Sequence, residues 1–479
     1  MMDQREFYID GQWVASKGGL SREIVDPARY EVIGHVALAT EEDVEAAVSA
    51  ARRAFERQNG PEGMDLPARI AMLHRIADIM DRRQEDLAQA ISAEIGVPIG
   101  YARNGHAAAG GAHIRILCEE LESFDFEWIR NGTLVTRVPI GVAALITPWN
   151  VPVNQIVIKV APALAAGCAV ILKPSEIAPG NARIIAEILD EAGVPPGLFN
   201  LLNGDGDGAG AALSSHPGVD MVSFTGSTRA GVAVSRNAAP TIKRVGLELG
   251  GKSANILLSD ADFAEAVAKG VKGCFANSGQ ACSAPSRMLV PQARMEEAAA
   301  IAAETAAAFK VGDPRDPSTD LGPVAGAAQW RRIQAYIESG VAEGARLAVG
   351  GPGLPEGLST GAYVRPTVFA DVTPQMTIAQ EEIFGPVLSI LGYADEEDAI
   401  RIANGTVYGL AAYVQGRDLE RVRAVGRRLR AGRVHLNYPV LDRTAPFGGF
   451  GQSGNGREQG RYGLEEFLEY SALIGHGDE

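Results

Sequence analysis

The sequence predicts an α/β protein with two open-sheet lobes and a protruding β-hairpin arm. A chain of 479 residues exceeds the roughly 250–300 residues at which a single hydrophobic core stops growing, so we expect two lobes. Short, continuously apolar segments alternate with longer amphipathic ones, which is typical of parallel sheets covered by helices on both faces. The pair Asn131-Gly132 lies between alternating apolar residues and is a strong hairpin signal.

The first lobe is expected to contain a surface helix over residues 41–58, because apolar residues recur there at helical spacing and Thr40 with Asp43 forms a start signal. From Gly141 onward, apolar strands alternate with helices. The predicted strands of this series are Val142–Ile146, Ala169–Leu172, Leu198–Leu202, Met221–Phe224 and Ala254–Leu258, with helices through Ala161 and over Arg183–Glu191.

A second series begins near Lys252 and predicts the second lobe. Its predicted helices are Asp262–Ala276, Met295–Phe309, Trp330–Glu343, Glu396–Asn404 and Leu419–Leu429, and its predicted strands are Met288–Val290, Val387–Leu391, Leu410–Val414 and Val434–Asn437. We place one lobe in residues 1–120 and 139–251, the other in 252–450, and the arm with the C-terminal segment in 121–138 and 460–479. Because the arm is a two-stranded ribbon with a solvent-exposed face and two unpaired strand edges, we expect it to pair with another copy of the chain.

Composition and charge favour small-molecule chemistry. The net charge is −15 and no long basic run is present, which argues against nucleic acid and anionic membranes as partners. The longest apolar run, Val160–Leu172, contains Pro162 and Gly167 and is too short for a bilayer of roughly 30 Å. The seven histidines show no metal-binding spacing, so we expect no metal.

The cysteines and the amino terminus favour a cytoplasmic protein. The first residues lack the charged and then apolar segments of a signal peptide. The four cysteines show no CxxC pairing, so we expect reduced thiols. Three of them, Cys118, Cys168 and Cys274, are interpreted as small buried hydrophobes.

The fourth cysteine, Cys282, differs because it lies among small polar residues, as does Glu248 some thirty residues earlier. Neighbouring glycines let the backbone bend and leave room for ligands to approach a functional atom. A thiol can attack an aldehyde carbonyl, and the tetrahedral adduct can then expel hydride to an acceptor. A free thiol has a pKa of roughly 8.5 and needs help to ionise, so Glu248 is the candidate base.

Three predicted strands end in polar or glycine-rich segments, where ligands bind in open α/β sheets. Asn150 could donate to a developing oxyanion, or equally cap the next helix. A second strand leads into Lys173, Ser175 and Glu176, which suit the hydroxyls of a ribose; the alternative is a solvated loop. The turn after Phe224 opens a helix whose free N–H groups could meet a pyrophosphate, although it lacks the GxGxxG fingerprint.

Together these residues resemble the aldehyde dehydrogenase superfamily over nearly the whole chain. The motifs are Pro148-Trp-Asn150, Lys173-Pro-Ser-Glu176, Phe224-Thr-Gly-Ser227, Glu248-Leu-Gly-Gly251, Gly279-Gln-Ala-Cys282, Glu381-Glu-Ile-Phe-Gly-Pro-Val387 and Pro446-Phe-Gly-Gly449, in this order. The resemblance implies an NAD(P)-dependent enzyme that oxidises an aldehyde to a carboxylic acid through a cysteine thioester. It also implies a Rossmann-like cofactor lobe, a catalytic lobe and an arm used in homodimers or homotetramers.

The resemblance also implies roles for individual residues. Cys282 would be the nucleophile, Glu248 the base for thioester hydrolysis, and Asn150 with the Cys282 backbone N–H the oxyanion donors. Glu458 resembles a glutamate assigned to a proton relay, with a surface ion pair as the alternative. The implied cofactor-binding residues are Thr147, Pro148, Trp149, Lys173, Ser175, Glu176, Gly206, Phe224, Gly226, Ser227, Leu249, Gly250, Glu382 and Phe384.

Cofactor choice and substrate class follow from two further groups of residues. The carboxylate of Glu176 accepts bonds from ribose hydroxyls but repels a 2′-phosphate, so NAD is favoured over NADP, which remains possible. The positions that resemble the family's aldehyde tunnel are Val151, Gln155, Ile158 and Leu441. Because none is aromatic, we expect an open tunnel for medium-chain or bulky apolar aldehydes. Arg443 near the tunnel mouth could attract a substrate carboxylate, or be a solvated loop residue.

Two alternative functions differ from this one in the residues that they require. An acylating enzyme would pass the acyl group to coenzyme A, but such relatives tend to lack a glutamate at the position of Glu248. A binding protein without activity would most simply have lost Cys282 or Glu248, and both are present.

Overall fold

Two seven-stranded sheets form the frame of the protein in a computed structural model that describes residues 3–477. The strands are β1 (Glu6–Ile9), β2 (Gln12–Ala15), β3 (Ser21–Asp26), β4 (Glu31–Ala37), β5 (Glu127–Arg130), β6 (Thr133–Pro139), β7 (Val142–Ile146), β8 (Ala169–Lys173), β9 (Phe199–Leu201), β10 (Met221–Thr225), β11 (Arg244–Glu248), β12 (Ala254–Leu257), β13 (Arg287–Pro291), β14 (Arg346–Val349), β15 (Thr367–Ala370), β16 (Val387–Tyr393), β17 (Ala411–Gln415), β18 (Arg433–Leu436) and β19 (Leu468–Ile474).

Helices cover the sheets. They are α1 (Glu41–Gln58), α2 (Leu66–Arg82), α3 (Gln84–Ile95), α4 (Ile99–Tyr101), α5 (Ala109–Leu121), α6 (Pro152–Ala166), α7 (Pro179–Glu191), α8 (Ala211–Ser215), α9 (Thr228–Ala238), α10 (Phe263–Phe275), α11 (Met295–Ala307), α12 (Ala327–Ala342), α13 (Thr377–Gln380), α14 (Glu396–Ala403), α15 (Leu419–Gly426) and α16 (Gly460–Glu465). Within residues 3–477, none of them has both the length and the hydropathy that a membrane span requires.

The first sheet has the strand order β11-β10-β7-β8-β9-β1-β2. Its strands from β7 to β11 run parallel, while β1 and β2 add an antiparallel edge. Every residue of β7 and β8 is buried, as expected for strands covered by helices on both faces. The parallel strands therefore end at one common edge, where the residues that follow them meet.

The second sheet has the order β14-β15-β16-β13-β12-β17-β18, with only β14 antiparallel. The chain passes from the first sheet to the second between Glu248, the last residue of β11, and Ala254, the first of β12. Leu249 and Gly250 of the connecting segment line one cavity together with Glu382 and Phe384 of the second lobe, so this segment lies where the two lobes meet.

The arm consists of the hairpin β5–β6, with β19 paired along the other side of β6. Asn131 and Gly132 both have positive φ, 53° and 70°, as the predicted tight turn requires. The side chains of Tyr470, Leu473 and Ile474 on β19 are exposed. The C-terminal segment and the hairpin thus form one three-stranded sheet with an exposed apolar surface.

Several strands were not predicted. The unpredicted strands are β1, β2, β3, β4, β11, β14, β15 and β19. Most lie at sheet edges or carry charged residues, as β11 does with Arg244 and Glu248, so they lack a continuous apolar run. The predicted strand Ala254–Leu258 was assigned to the first series, but as β12 it lies in the middle of the second sheet.

Candidate active site

A cavity of about 670 Å³ lies at the carboxyl ends of β7, β10 and β11. It is lined by Pro148, Trp149, Asn150, Gln155, Thr225, Gly226, Ser227, Leu249, Gly250, Cys282, Gln329, Arg332, Glu382 and Phe384. Residues from both sheets therefore share one cavity, with the thiol of Cys282 at its wall. Among residues 3–477, no group of metal-binding side chains is gathered here or elsewhere.

The backbone before Cys282 is unusual. Asn277, Ser278 and Gly279 are consecutive residues with left-handed φ values of 55°, 54° and 73°. Such strain persists only where surrounding structure holds it, and it is concentrated at functional sites. At Gly279 a Cβ atom would collide with the carbonyl oxygen of Gly385, so only glycine fits. This sharp turn presents Cys282 to the cavity.

Asn150 is buried and hydrogen-bonded to the turn that carries the cysteine. Its amide nitrogen donates to the carbonyl oxygen of Gln280 at 3.0 Å, and Asn277 donates back to the Asn150 carbonyl at 2.9 Å. Because the Asn150 amide has two hydrogens, one remains for another acceptor. The residue does not cap α6, whose N-cap is Val151. The two segments are thereby fixed relative to each other.

The surroundings of Cys282 disfavour its thiolate in the absence of a cation. Burial, followed by the carboxylates of Glu382, Glu248 and Glu458, raises the pKa of the Cys282 thiol to about 12. A cationic group entering the cavity would oppose this effect and favour the thiolate. The site is therefore suited to a nucleophile whose reactivity increases when a cationic ligand is bound.

Glu248 is buried behind the cavity rather than in its wall. Neither of its carboxylate oxygens has a hydrogen-bond partner in the described part of the chain. Burial, and then the negative charge of Glu458, raises the pKa of Glu248 well above its ordinary value, while Lys159 and Arg457 oppose the rise. Glu248 lines a second cavity of about 280 Å³.

That second cavity also contains Glu458 and Lys159. The Lys159 ammonium donates to a carboxylate oxygen of Glu458 and, at 2.9 Å, to the hydroxyl of Ser223. Lys159 and Glu458 are only 1 % and 6 % exposed, so the alternative of a surface ion pair is wrong. A buried ion pair therefore lies beside Glu248 and sets the charge around it.

The residues after β8 hold a second polar region. The ammonium of Lys173 is buried, which lowers its pKa, and it donates to the carbonyl oxygens of Pro174 and Gly204 at 2.9 and 2.8 Å. Ser175 accepts from the backbone N–H of Ile177 at 3.3 Å. Glu176 forms an ion pair with Arg22. These residues do not line the first cavity.

The remaining expected cofactor contacts fall into two groups. Thr147, Gly206 and Phe224 lie outside the first cavity; the Thr147 hydroxyl is buried and has no partner among residues 3–477. Ser227 caps α9 by accepting from the N–H of Ala230 at 3.3 Å. Together with Gly226 it brings the N-terminus of an eleven-residue helix to the cavity.

The far wall of the cavity comes from the second sheet's lobe. Glu382 accepts from the backbone N–H of Gly251 at 3.0 Å. Phe384 has a φ of 60°, and its ring packs edge-on against the ring of Trp149, with the two ring centroids 5.5 Å apart. A Cβ on Gly250 would collide with the Glu382 carboxylate unless that side chain moved.

The four expected tunnel residues are not brought together in one cavity. Gln155 lines the first cavity, whereas Ile158 lines the second. Val151 caps α6, and Leu441 lies half-exposed in a surface loop beside Val440.

Three polar residues that line these cavities are not among the residues predicted from the sequence. Gln329 and Arg332, near the start of α12, donate to the backbone carbonyls of Phe384 (2.9 Å) and Glu382 (3.2 Å). Polar residues in the first two turns of a helix resemble an ordinary solvated face, so the sequence carries no signal for them. Lys159 carries a sequence signal, because it is the one charged residue of the largely apolar helix α6.

The donor set fits a dinucleotide with a cationic ring. Unpartnered buried hydroxyls on Thr147 and Thr225 and the N-terminus of α9 can meet polar and anionic groups. Near Cys282 the carboxylates of Glu382 and Glu248 favour positive charge.

Comparisons with known proteins agree with this geometry. The family model described as the aldehyde dehydrogenase family matches residues 13–473. The chain is 53% identical to 3-succinoylsemialdehyde-pyridine dehydrogenase of a Pseudomonas species over 99% of both proteins. It is 51% identical to aldehyde dehydrogenase C of Pseudomonas syringae, solved as a cysteine-to-alanine variant with NAD+ and octanal, with a TM-score of 0.98 over 99% of this chain and 97% of that one.

An aldehyde dehydrogenase of Mycobacterium tuberculosis solved with NAD+ is 39% identical, with a TM-score of 0.95 over 98% of each chain. The fold, the cysteine turn and the family match lead to one conclusion: this chain belongs to the aldehyde dehydrogenase family.

Proposed function

We propose that this protein oxidises aldehydes to carboxylic acids with NAD, through a thioester on Cys282. The observation that carries the proposal is the hydrogen bond from the Asn150 amide to the Gln280 carbonyl, which fixes a donor beside the cysteine turn in the shared cavity. When bound, NAD supplies the acceptor for a hydride. The two relatives solved with NAD+ support this choice of cofactor.

The first half of the reaction forms the thioester. The Cys282 sulfur bonds to the aldehyde carbon, and its proton is released to solvent, which leaves the carboxylate of Glu248 free to act as a base in the second half. The aldehyde oxygen becomes an alkoxide, which the Asn150 amide and the Cys282 backbone N–H stabilise by roughly 3–4 kcal/mol per donor. Departure of a hydride from the same carbon converts the adduct into a thioester.

The second half releases the acid. Glu248 takes a proton from water, the hydroxide adds to the thioester carbon, and the thiolate leaves and recovers a proton. The raised pKa of Glu248 suits a group that must both accept and return a proton. The pair of Lys159 and Glu458 is a positioning element that tunes this pKa.

The proposed cofactor contacts follow the cavity wall. Lys173 and Glu176 would hold the adenine ribose, with Ser175, Gly206 and Thr147 nearby. The turn of Gly226 and Ser227, with Phe224 behind it, would hold the pyrophosphate. The nicotinamide ribose and ring would meet Glu382 and Phe384, in the space left by Pro148, Trp149, Leu249 and Gly250.

The substrate is proposed to be a medium-chain or bulky apolar aldehyde. Octanal in one solved relative and the pyridine-bearing semialdehyde in another relative's name are consistent with this class. Val151, Gln155, Ile158 and Leu441 are the proposed contacts. Comparing kcat/KM over a chain-length series tests the proposal, and a strict preference for acetaldehyde would contradict it.

The reaction itself is tested by following NADH absorbance with an aldehyde panel, with and without coenzyme A, and identifying the product. We expect a free carboxylic acid at a rate that coenzyme A does not change. An acyl-coenzyme A product would instead support the acylating alternative, and a lack of NADH with every aldehyde would contradict both.

We further propose a homodimer or homotetramer in the cytoplasm. The exposed Tyr470, Leu473 and Ile474 on the arm supply apolar area for a contact between copies. The buried Cys118, Cys168 and Cys274 are free thiols, as a reducing compartment favours. Sedimentation of the full chain tests the assembly, and a monomer at micromolar concentration would contradict it.

A further inference from the structure

An arginine from the N-terminal sheet reaches the proposed ribose site. Arg22 lies on β3, which pairs with β4, and is 154 residues away from Glu176 in the chain. Its guanidinium nevertheless donates to a carboxylate oxygen of Glu176 at 3.0 Å. No motif and no local spacing in the sequence predicts this contact.

Arg22 and Glu176 line a third cavity of about 1140 Å³. This cavity shares Trp149 and Gln329 with the cavity that holds Cys282. The ion pair therefore lies in a cavity adjacent to the one that contains Cys282.

The two side chains have opposite preferences at a ribose. A carboxylate accepts from the 2′-hydroxyl of NAD, whereas a nearby arginine accommodates the 2′-phosphate of NADP. Glu176 uses one carboxylate oxygen for Arg22 and keeps the other for a hydroxyl. Arg22 makes only this side-chain hydrogen bond among the described residues, and its side chain is 55% exposed, so most of its N–H donors are free.

We propose that Arg22 determines whether a 2′-phosphorylated cofactor is accepted. Its charge offsets that of Glu176, which alone would repel a 2′-phosphate, and its free N–H groups bind the phosphate oxygens. The site then takes NAD through Glu176 and NADP through Arg22. This inference rests on the proposed dinucleotide site and adds Arg22 to Glu176 as a second residue that affects the preference.

The test uses nucleotide fragments and needs no turnover. Calorimetry compares adenosine 2′,5′-bisphosphate with adenosine 5′-monophosphate on the wild type, on Arg22→Ala and on the control Arg82→Ala. Arg82 forms a similarly exposed ion pair, with Glu191 at 2.8 Å, at the far end of α7. A charge-reversed Arg22→Glu and a conservative Arg22→Lys complete the series.

We expect Arg22→Ala to weaken the bisphosphate by about tenfold or more, as loss of hydrogen bonds to a charged group implies. The monophosphate should change by less than about threefold, the scale of an exposed ion pair. Arg22→Glu should weaken the bisphosphate further, Arg22→Lys should retain part of its binding, and Arg82→Ala should change neither ligand.

If Arg22→Ala weakens the binding of both ligands equally, or changes neither, the proposed role of Arg22 is wrong. Wild-type protein that binds the monophosphate but not the bisphosphate would also overturn it, while leaving the proposed NAD site intact. Failure to bind either fragment would overturn both this inference and the cofactor site on which it rests.

Discussion

Replacing Lys159 by methionine and Glu458 by glutamine, one at a time, is expected to move the pH dependence of thioester hydrolysis in opposite directions. Glu248 must be deprotonated to activate water, so hydrolysis accelerates as the pH rises through its pKa. Lys159 lowers that pKa and Glu458 raises it. Lys159→Met therefore shifts the curve to higher pH, and Glu458→Gln shifts it to lower pH.

The size of the shift follows from burial. With Lys159 1 % and Glu458 6 % exposed, solvent screens their charges little. A nearby charge moves a pKa by about 1–3 units, and each unit corresponds to about 1.36 kcal/mol, so we expect at least about one unit in each direction. Each single variant also leaves a buried charge unpaired, at a cost of about 3–5 kcal/mol of stability.

The assay forms the acyl-enzyme with 4-nitrophenyl acetate, which needs no cofactor, and follows its decay from about pH 6 to about pH 10. Circular dichroism confirms that each variant is folded. The double variant K159M/E458Q is the control, because it removes both charges and should recover part of the lost stability. Shifts in the same direction, or none in folded variants, would refute the reasoning.

Three further predictions address other groups. Asn150→Ala should lower kcat/KM about 10²–10³-fold by removing an oxyanion donor, and a loss below tenfold would assign the oxyanion to other donors. Because the pKa of Cys282 is about 12, its alkylation by iodoacetamide without cofactor should rise about tenfold per pH unit through pH 9, measured against Cys282→Ala; a plateau near neutral pH would contradict this. Burial raises the pKa of Glu94 to about 8 from 4.5. Because the folded state then holds the Glu94 proton more tightly than the unfolded state, the contribution of this group to the free energy of unfolding is complete below pH 4.5 and is lost as the pH rises through 8. Glu94→Gln should therefore raise the denaturation midpoint at pH 9 and less at pH 5, and an equal change at both would contradict it.

Local signals in the sequence were enough for the central strands. All-apolar runs predicted β7 and β8, and the capping box of Thr40 and Asp43 is present at the start of α1. These features depend on residues a few positions apart. Strand β11 was missed because its apolar residues are flanked by Arg244 and Glu248, and its place beside β10 is a long-range choice.

The candidate site also combines features that local sequence patterns predict with contacts that they do not. The motif around Cys282 is visible in the sequence because its glycines mark a sharp turn. The burial of Glu458 against Lys159 could not be anticipated, since the two are 299 residues apart. The contact of Arg22 with Glu176 is equally non-local. Such pairs arise from tertiary packing, for which single-sequence patterns carry no distance information.

Mass analysis of the Glu248→Gln variant tests the central claim most directly. The variant is mixed with octanal and NAD, quenched in acid and digested. Because hydrolysis should be blocked after hydride transfer, we predict one burst of NADH and an octanoyl group on the peptide that contains Cys282, absent from the double variant with Cys282→Ala. A burst of NADH with unmodified Cys282, or an acyl group on Cys118, Cys168 or Cys274 instead, would contradict the account.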